Sequence, residues 1–470
     1  MAGNLAEFIW NGRNPNPLFE DSPTPEELSG RMVFTRGASW NTEVVNNGDT
    51  INDPNPNLEF NNQSSLTGVR MAMGSFAPTR LPPVITSQVT ASGIQGQHFG
   101  FQVTAVNEAS QFSATGLPEG LKLNRWTGSI TGTPLHSGVF QIDLTASNSI
   151  GTGTATLTLN VAPPGMRPIP TGTYVRVLAN GQGESYEFGT RYVYISDFLM
   201  DQTEVTNEQM AAALQWAFDQ GLVSVEDNKV RNVQGDSRIL MDLAQTDCRL
   251  TWDDSNSIFG IKTDKGVGYP CVEVSWYGAV AYCNFRTLME NPGRTPCYDF
   301  SDWSCDWNAT GYRLPTESEC EKAARGGLEE KRFPWGDTIT HEQANYRSDA
   351  NIFYDTSETR GLHPTWNQGG SPGTSPVGSF PPNGYGLYDM AGNVQEWCWD
   401  RFGGEWSNYP LAERDPKGPD TGTIANVRMF RGGEWFANAY QLRCSFRAYL
   451  GEETFGWNLG FRTVLATRPQ

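Results

Sequence analysis

The run Pro382-Asn383-Gly384-Tyr385-Gly386-Leu387-Tyr388-Asp389-Met390-Ala391-Gly392-Asn393-Val394-Gln395-Glu396-Trp397-Cys398-Trp399 reads as loops and aromatic turns, and it decides the fold. Its second part, Met390 to Trp399, has an echo at the start of the chain, Met1-Ala2-Gly3-Asn4-Leu5-Ala6-Glu7-Phe8-Ile9-Trp10. Two further echoes follow in the same order: Arg36-Gly37-Ala38-Ser39-Trp40 answers Arg431-Gly432-Gly433-Glu434-Trp435, and Gly68-Val69-Arg70 answers Gly460-Phe461-Arg462. Ordered self-similarity of this kind marks an internal repeat. The first copy begins at the motif methionine, so residues 1–74 read as the C-terminal half of a domain whose N-terminal half is missing. Any export signal would then lie upstream.

Around this repeat the composition sets bounds. A chain of 470 residues exceeds what one core usually serves and points to several domains. With 38% hydrophobic residues it is a folded, soluble chain, and no apolar run approaches the roughly 20 residues of a membrane span. The balance of 34 basic against 52 acidic residues gives −18, so nucleic acid and anionic membrane surfaces are repelled. Gly 50, Pro 29 and Trp 15 describe short strands, turns and aromatic anchors. His98, His136, His341 and His363 are scattered, which argues against a histidine-rich metal site. All eight cysteines fall in the second half and none forms a C-x-x-C. An even number confined to one region allows disulfides in an oxidising compartment, with the connectivity open.

After a linker at 75–81, residues 82–162 read as an all-β sandwich of alternating strands such as Phe99 to Val106 and Val139 to Ala146, separated by glycine and proline turns. The strings Gly116-Leu117-Pro118-Glu119-Gly120-Leu121 and Thr127-Gly128-Ser129-Ile130-Thr131-Gly132-Thr133-Pro134 resemble immunoglobulin-like (cadherin-like) modules of bacterial surface proteins. That resemblance implies a spacer. A second linker is expected at 163–171, and from 172 to 470 the reading is α+β. Thr206 and Ser275 open helices there, and Thr316 with Glu319 forms a capping box for a third that Gly326 ends.

Residues 172–467 resemble the formylglycine-generating enzyme (sulfatase-modifying factor) family. The matching strings are Val272-Glu273-Val274-Ser275-Trp276, Gly311-Tyr312-Arg313-Leu314-Pro315-Thr316-Glu317, Phe333-Pro334-Trp335-Gly336, Pro376-Val377-Gly378, Pro382 to Met390, Arg431-Gly432-Gly433 and Gly460-Phe461-Arg462. The resemblance implies a C-type-lectin-like fold with little regular secondary structure, often stabilised by calcium. It carries one structural calcium site onto the side chains of Asp389 and Glu396 with the carbonyls of Gly392 and Val394, a hard-oxygen set that suits Ca²⁺. The family's second calcium site maps onto Asn345 and Tyr346. Its acidic ligand falls on Gly369 and a carbonyl on Ser371, so that site needs Asp349 or another acid as a substitute.

Catalysis departs from the family pattern. Members that make formylglycine bind copper(I) through two cysteines after the Arg-Gly-Gly motif, as soft sulfur ligands favour. Here Ala437 occupies the first cysteine position, no cysteine stands near the second, Glu434 replaces a serine, and the first copy offers only Thr42. Copper is therefore not expected. Cys444 aligns with a structural cysteine and Cys398 is its candidate disulfide partner, while Cys297 and Cys305 are candidates for a loop-closing bridge. Glu434, Trp435, Phe436, Tyr440, Tyr449, Phe455 and Trp457 would line the old substrate groove, where aromatic faces suit sugar rings or peptide anchors. The expected function is an exported, non-catalytic recognition module for a glycan or protein. The alternatives are an oxidase acting on a sulfatase cysteine through a non-standard site, and a variable lectin-like receptor diversified by a retroelement.

Overall fold

In a computed structural model the described residues are 81–176, 190–291, 293–366, 371–404 and 410–466, together with the backbone of the pairs 45–46 and 49–50. The chain divides into two compact units, Met1–Pro78 and Thr79–Gln470. In the first, Val45–Asn46 pairs antiparallel with Asp49–Thr50. The expected half-domain at 1–74 and the linker at 75–81 otherwise lie outside the described residues.

The second unit begins with a β-sandwich. One sheet has the order Thr90–Ile94, Thr152–Ala162, Gly138–Ser147, Gln111–Thr115; the other has Phe99–Gln102, Ser129–Gly132, Leu121–Leu123. Alternation produces the core: along Gly138–Ser147, Ile142, Leu144 and Ala146 point inward while their neighbours are more exposed. They meet Phe99, Leu121, Ile130, Leu157 and Leu159 from the other strands. Gly120 fixes one turn, because at φ +92° a Cβ there would lie 1.9 Å from the carbonyl oxygen of Thr133.

Residues 163–171, expected as a linker, are partly strand: Met166–Ile169 pairs with Phe198–Asp201. The reason is visible in burial, since Met166 and Ile169 are both fully buried and enter the C-terminal core. That sheet continues through Val464–Ala466 to Tyr312–Arg313, so strands from the two ends of the C-terminal domain flank Phe198–Asp201 on either side. A second sheet has the order Ala448–Gly451, Val427–Arg431, Gln395–Arg401, Leu459–Gly460.

Three helices pack on this framework. Helix α1, Asn207–Asp219, is capped by Thr206, and Gln209 completes a capping box. Helix α2, Trp276–Glu290, starts at Ser275, whose hydroxyl accepts from the Gly278 amide. Helix α3, Glu317–Arg325, carries the Thr316/Glu319 capping box and ends at Gly326 in the left-handed region. Helix α3 is short but almost wholly buried, and its polar side chains are satisfied by ion pairs. Glu317 accepts from Arg431 and Arg447, and Glu321 from Arg176, Arg325 and Arg431. Most of the remaining backbone is loop, as expected of an α+β domain poor in regular structure.

Candidate functional site

The turn at Asp389–Glu396 is built by backbone that few side chains adopt: Asp389, Gly392 and Asn393 all have positive φ, at 55°, 94° and 65°. Asn393 ties it to its surroundings. Its amide nitrogen donates to Glu204 Oε1 at 3.0 Å, its side-chain oxygen accepts from the Ser375 amide at 2.9 Å, and its backbone joins Asn345 and Trp435. The two acids assigned to calcium sit differently. Both oxygens of Glu396 are engaged by the Arg462 guanidinium at 2.7 Å, in a fully buried bidentate pair. Asp389 accepts from the Gly378 amide through Oδ2 at 2.6 Å, while its Oδ1 is buried with no hydrogen-bond partner.

The sequence reading missed Glu204. It is fully buried, no N–H or O–H of the described residues reaches its Oε2, and its carboxyl lies within hydrogen-bonding reach of Asp389. Burial, reinforced by Asp389, holds its carboxyl well above the usual range; burial pushes Asp389 up to about 6. The two carboxyls face each other, so one shares its proton with the other when the site is empty; fully ionised beside a tight turn of carbonyls, the pair fits a hard cation. An ion there would meet Asp389 and Glu204 directly, whereas Glu396 would share its oxygens with Arg462. Among the described residues no three His, Cys, Asp or Glu side chains converge as a metal-binding group, so main-chain carbonyls would have to supply the rest.

At the second mapped site, Asn345 donates through Nδ2 to the Gly373 carbonyl at 2.9 Å and leaves its buried Oδ1 unpartnered. The Tyr346 carbonyl lies 3.1 Å from His341 Nε2. Asp349 is spent on its own turn, accepting from the Asn351 amide at 2.9 Å. Asp355 is saturated by Tyr346, Ser348, Arg360 and the Asp349 amide. Gly369 lies outside the described residues.

After the Arg431-Gly432-Gly433 motif, Ala437 is 3% exposed and packs among Phe333, Ile339, Ala344 and Leu442. The position that the family resemblance sets against a copper-binding cysteine is thus part of a buried apolar cluster. All eight cysteines are free thiols, and neither expected bridge, Cys297 to Cys305 or Cys398 to Cys444, is formed. Cys398 turns instead toward Cys320 on helix α3, with the sulfurs 3.4 Å apart. Cys444 belongs to a different cluster, beside Tyr174, Ala324 and Met390. Cys297 donates to the Gly311 carbonyl at 3.3 Å. Burial raises the thiols of Cys297, Cys248 and Cys444 to about 11, 12 and 12, and those of Cys271, Cys283, Cys305 and Cys398 also rise. These groups are protonated at neutral pH and poor as nucleophiles or soft-metal ligands.

The groove candidates divide. Trp435, Phe436 and Trp457 form one cluster, with ring centroids 5.6 Å (Trp435–Phe436), 4.9 Å (Trp435–Trp457) and 6.0 Å (Phe436–Trp457) apart. Phe436 is 46% exposed, with the Arg347 guanidinium 5.5 Å from its ring, while Trp435 is buried and its indole N–H has no partner. Glu434 is buried beneath them and accepts from the Phe436 amide at 2.5 Å; burial pushes its carboxyl up to about 7. Tyr440 packs on Phe446, and Tyr449 lies 4.4 Å from Phe402. Phe455 is half-buried.

A charged cavity of about 260 Å³, which the sequence reading also missed, lies at the start of helix α3, lined by Arg176, Glu317, Asp400, Glu413 and Lys417. Asp400 accepts from the first amide of α3, Glu317, at 2.7 Å. Its carboxyl is raised to about 7 by burial and by Glu317. No local motif announces it, because its walls come from four separate segments.

Comparison with known proteins agrees with these motifs. The model of the sulfatase-modifying factor enzyme 1-like domain matches residues 156–467, and that of an Ig domain family matches residues 82–162. The chain belongs to the sulfatase-modifying factor family, and its α+β domain follows an immunoglobulin-like sandwich. It is 31% identical over 324 residues to the formylglycine-generating enzyme of Bos taurus, covering 65% of this chain and 76% of that protein. It is 39% identical over 181 residues to the formylglycine-generating enzyme of Thermomonospora curvata, covering 37% of this chain and 48% of that protein. The chain thus spans about half the length of the second relative. A solved structure, Treponema denticola variable protein 1, aligns at 23% identity and TM-score 0.42, over 69% of this chain and 98% of its own. Among the described residues no helix is long and apolar enough to cross a membrane.

Proposed function

We propose that this chain is a non-catalytic member of its family, exported to the periplasm or cell surface, where the C-terminal domain recognises a glycan or protein. The observation that carries this reading is Ala437, packed into an apolar wall where a copper-binding cysteine stands in the oxidases. Burial raises seven of the eight thiols, which disfavours the thiolates that soft metals need. The recognition surface is Phe436 with the edge of Trp457 and the cation of Arg347, above the unpartnered indole N–H of Trp435. Such a surface offers an aromatic face, a positive charge and a buried donor to a sugar ring or peptide side chain. A structural calcium ion at Asp389 and Glu204 would neutralise two buried carboxyls and hold the turn that leads into the second sheet. The immunoglobulin-like sandwich serves as a spacer.

Glycan and peptide arrays probed with the full chain test this reading. Phe436→Ala is the informative variant, because Phe436 is half exposed whereas Trp435 is core. Retention on one class of ligand should fall at least about tenfold in the variant, as expected on losing an aromatic anchor. An array with no retention that Phe436→Ala removes sinks the recognition surface.

A further inference from the structure

The cavity of about 260 Å³ at the start of helix α3 has a buried floor and a half-exposed rim. Arg176, Glu317, Ser318 and Asp400 form the floor; Gly403, Glu413 and the run from Pro416 to Pro419 form the rim. Most of the charges on its walls are committed to partners within the chain. Arg176 donates to Glu321, to Tyr174 and to Ser318. Glu317 accepts from Arg431 and from Arg447, which also donates to the Gly404 carbonyl. The Lys417 ammonium stands 4.7 Å from the ring centroid of Trp307.

Two carboxyls are left over. Asp400 accepts from the Glu317 amide through Oδ2 at 2.7 Å, and its Oδ1 lies against Gly418. Gly418 has φ +74°, and a Cβ there would come within 2.9 Å of that oxygen, so glycine keeps Oδ1 uncovered. Burial and Glu317 raise Asp400 to about 7 against the Glu317 amide, Arg176 and Arg447; burial raises Glu413 against Arg176 and Arg191. Both carboxylates are therefore undercompensated where they sit, and a partner that brings positive charge and N–H donors supplies what they lack. A divalent metal fits less well, because it asks for more hard oxygens than two acids give, and among the described residues no three acids converge. An ammonium is a compact charge with three donors, enough to serve both carboxylates. The volume lies below the roughly 300–1,000 Å³ of pockets for drug-sized ligands, which limits the ligand to a small one.

We propose that this cavity binds a small primary ammonium: Asp400 Oδ1 and the Glu413 carboxylate accept its N–H groups, and Pro416 and Pro419 pack against its alkyl chain. This goes beyond the recognition reading and does not depend on it.

Calorimetric titration of the full chain with n-butylammonium chloride at pH 8 tests the site. Saturable one-to-one binding is expected below about 10 mM, weaker by about tenfold or more in Glu413→Gln and in Asp400→Asn, which keeps an oxygen for the Glu317 amide. Tetramethylammonium, with the same charge and no N–H, should bind at least about tenfold more weakly. No saturable binding of n-butylammonium, equal binding of tetramethylammonium, or unchanged affinity in Glu413→Gln would overturn the proposal. If Asp400→Asn fails to fold, Glu413→Gln decides, since Glu413 is half-buried on a three-residue strand. Nα-acetyl-lysine methylamide carries the same ammonium on a peptide-like head. Affinity equal to that of n-butylammonium upholds the site as one for a protein lysine, and clearly weaker affinity upholds it as one for a free amine.

Discussion

Glu434, in the turn after the Arg431-Gly432-Gly433 motif, is buried, and its burial makes a quantitative prediction about stability. Its carboxyl is raised from an ordinary 4.5 to about 7 because it is desolvated under Trp435 and Phe436. In the unfolded chain the group ionises near 4.5, so between 4.5 and about 7 the folded state holds a proton that the unfolded state has lost. Stability from this group is therefore complete below pH 4.5, declines as pH rises to about 7, and is constant above. At about 1.4 kcal/mol per tenfold change in proton affinity, the full loss is roughly 3 kcal/mol. Glu434→Gln keeps an oxygen for the Phe436 amide and abolishes the titration. Urea unfolding followed by tryptophan fluorescence should show the variant gaining roughly 2–3 kcal/mol on wild type between pH 5 and pH 8. Glu273, at about 7, and Asp400, also at about 7, shift wild type and variant alike and cancel in the difference. Parallel pH profiles for the two proteins would refute the burial argument.

Two further outcomes follow from the pairings. Arg462→Met strands the buried carboxylate of Glu396 and should cost about 3–5 kcal/mol in chemical denaturation, whereas the double variant with Glu396→Gln should recover a large part. Purified under an oxidised-glutathione buffer, the chain should yield a Cys320–Cys398 cross-linked peptide in mass mapping and no Cys398–Cys444 peptide, since only the first pair of sulfurs is in contact.

Local chemistry was legible in the sequence; long-range closure was not. The caps at Thr206, Ser275 and Thr316 and the stop at Gly326 follow from spacing over a few residues, and each forms. Glu396 stands out in its motif, but nothing near it says that Arg462 will take both its oxygens. Glu204 lies in a strand-to-helix passage far from Asn393, and only tertiary packing reveals it as the second acid of the Asp389 turn. The cysteine pairing failed for the same reason: Cys320 lies on helix α3 and Cys398 on the strand beneath it. Position after the Arg-Gly-Gly motif groups Tyr449 with the groove, yet strand pairing of Met429 with Tyr449 carries it to Phe402. Met166–Ile169 reads as a linker because four residues with a proline give too little periodicity to reveal a strand.

The central claim, a family domain without its oxidase centre, is tested most directly by reconstituting the purified full chain with copper(I). Bound copper and aldehyde formation on a peptide carrying the C-x-P-x-R sequence are then assayed, with calcium determined in the same sample. The account predicts no stoichiometric copper and no aldehyde. Copper retained at one per chain with aldehyde turnover would contradict it, and would mean that thiols buried in this fold open to form a redox site.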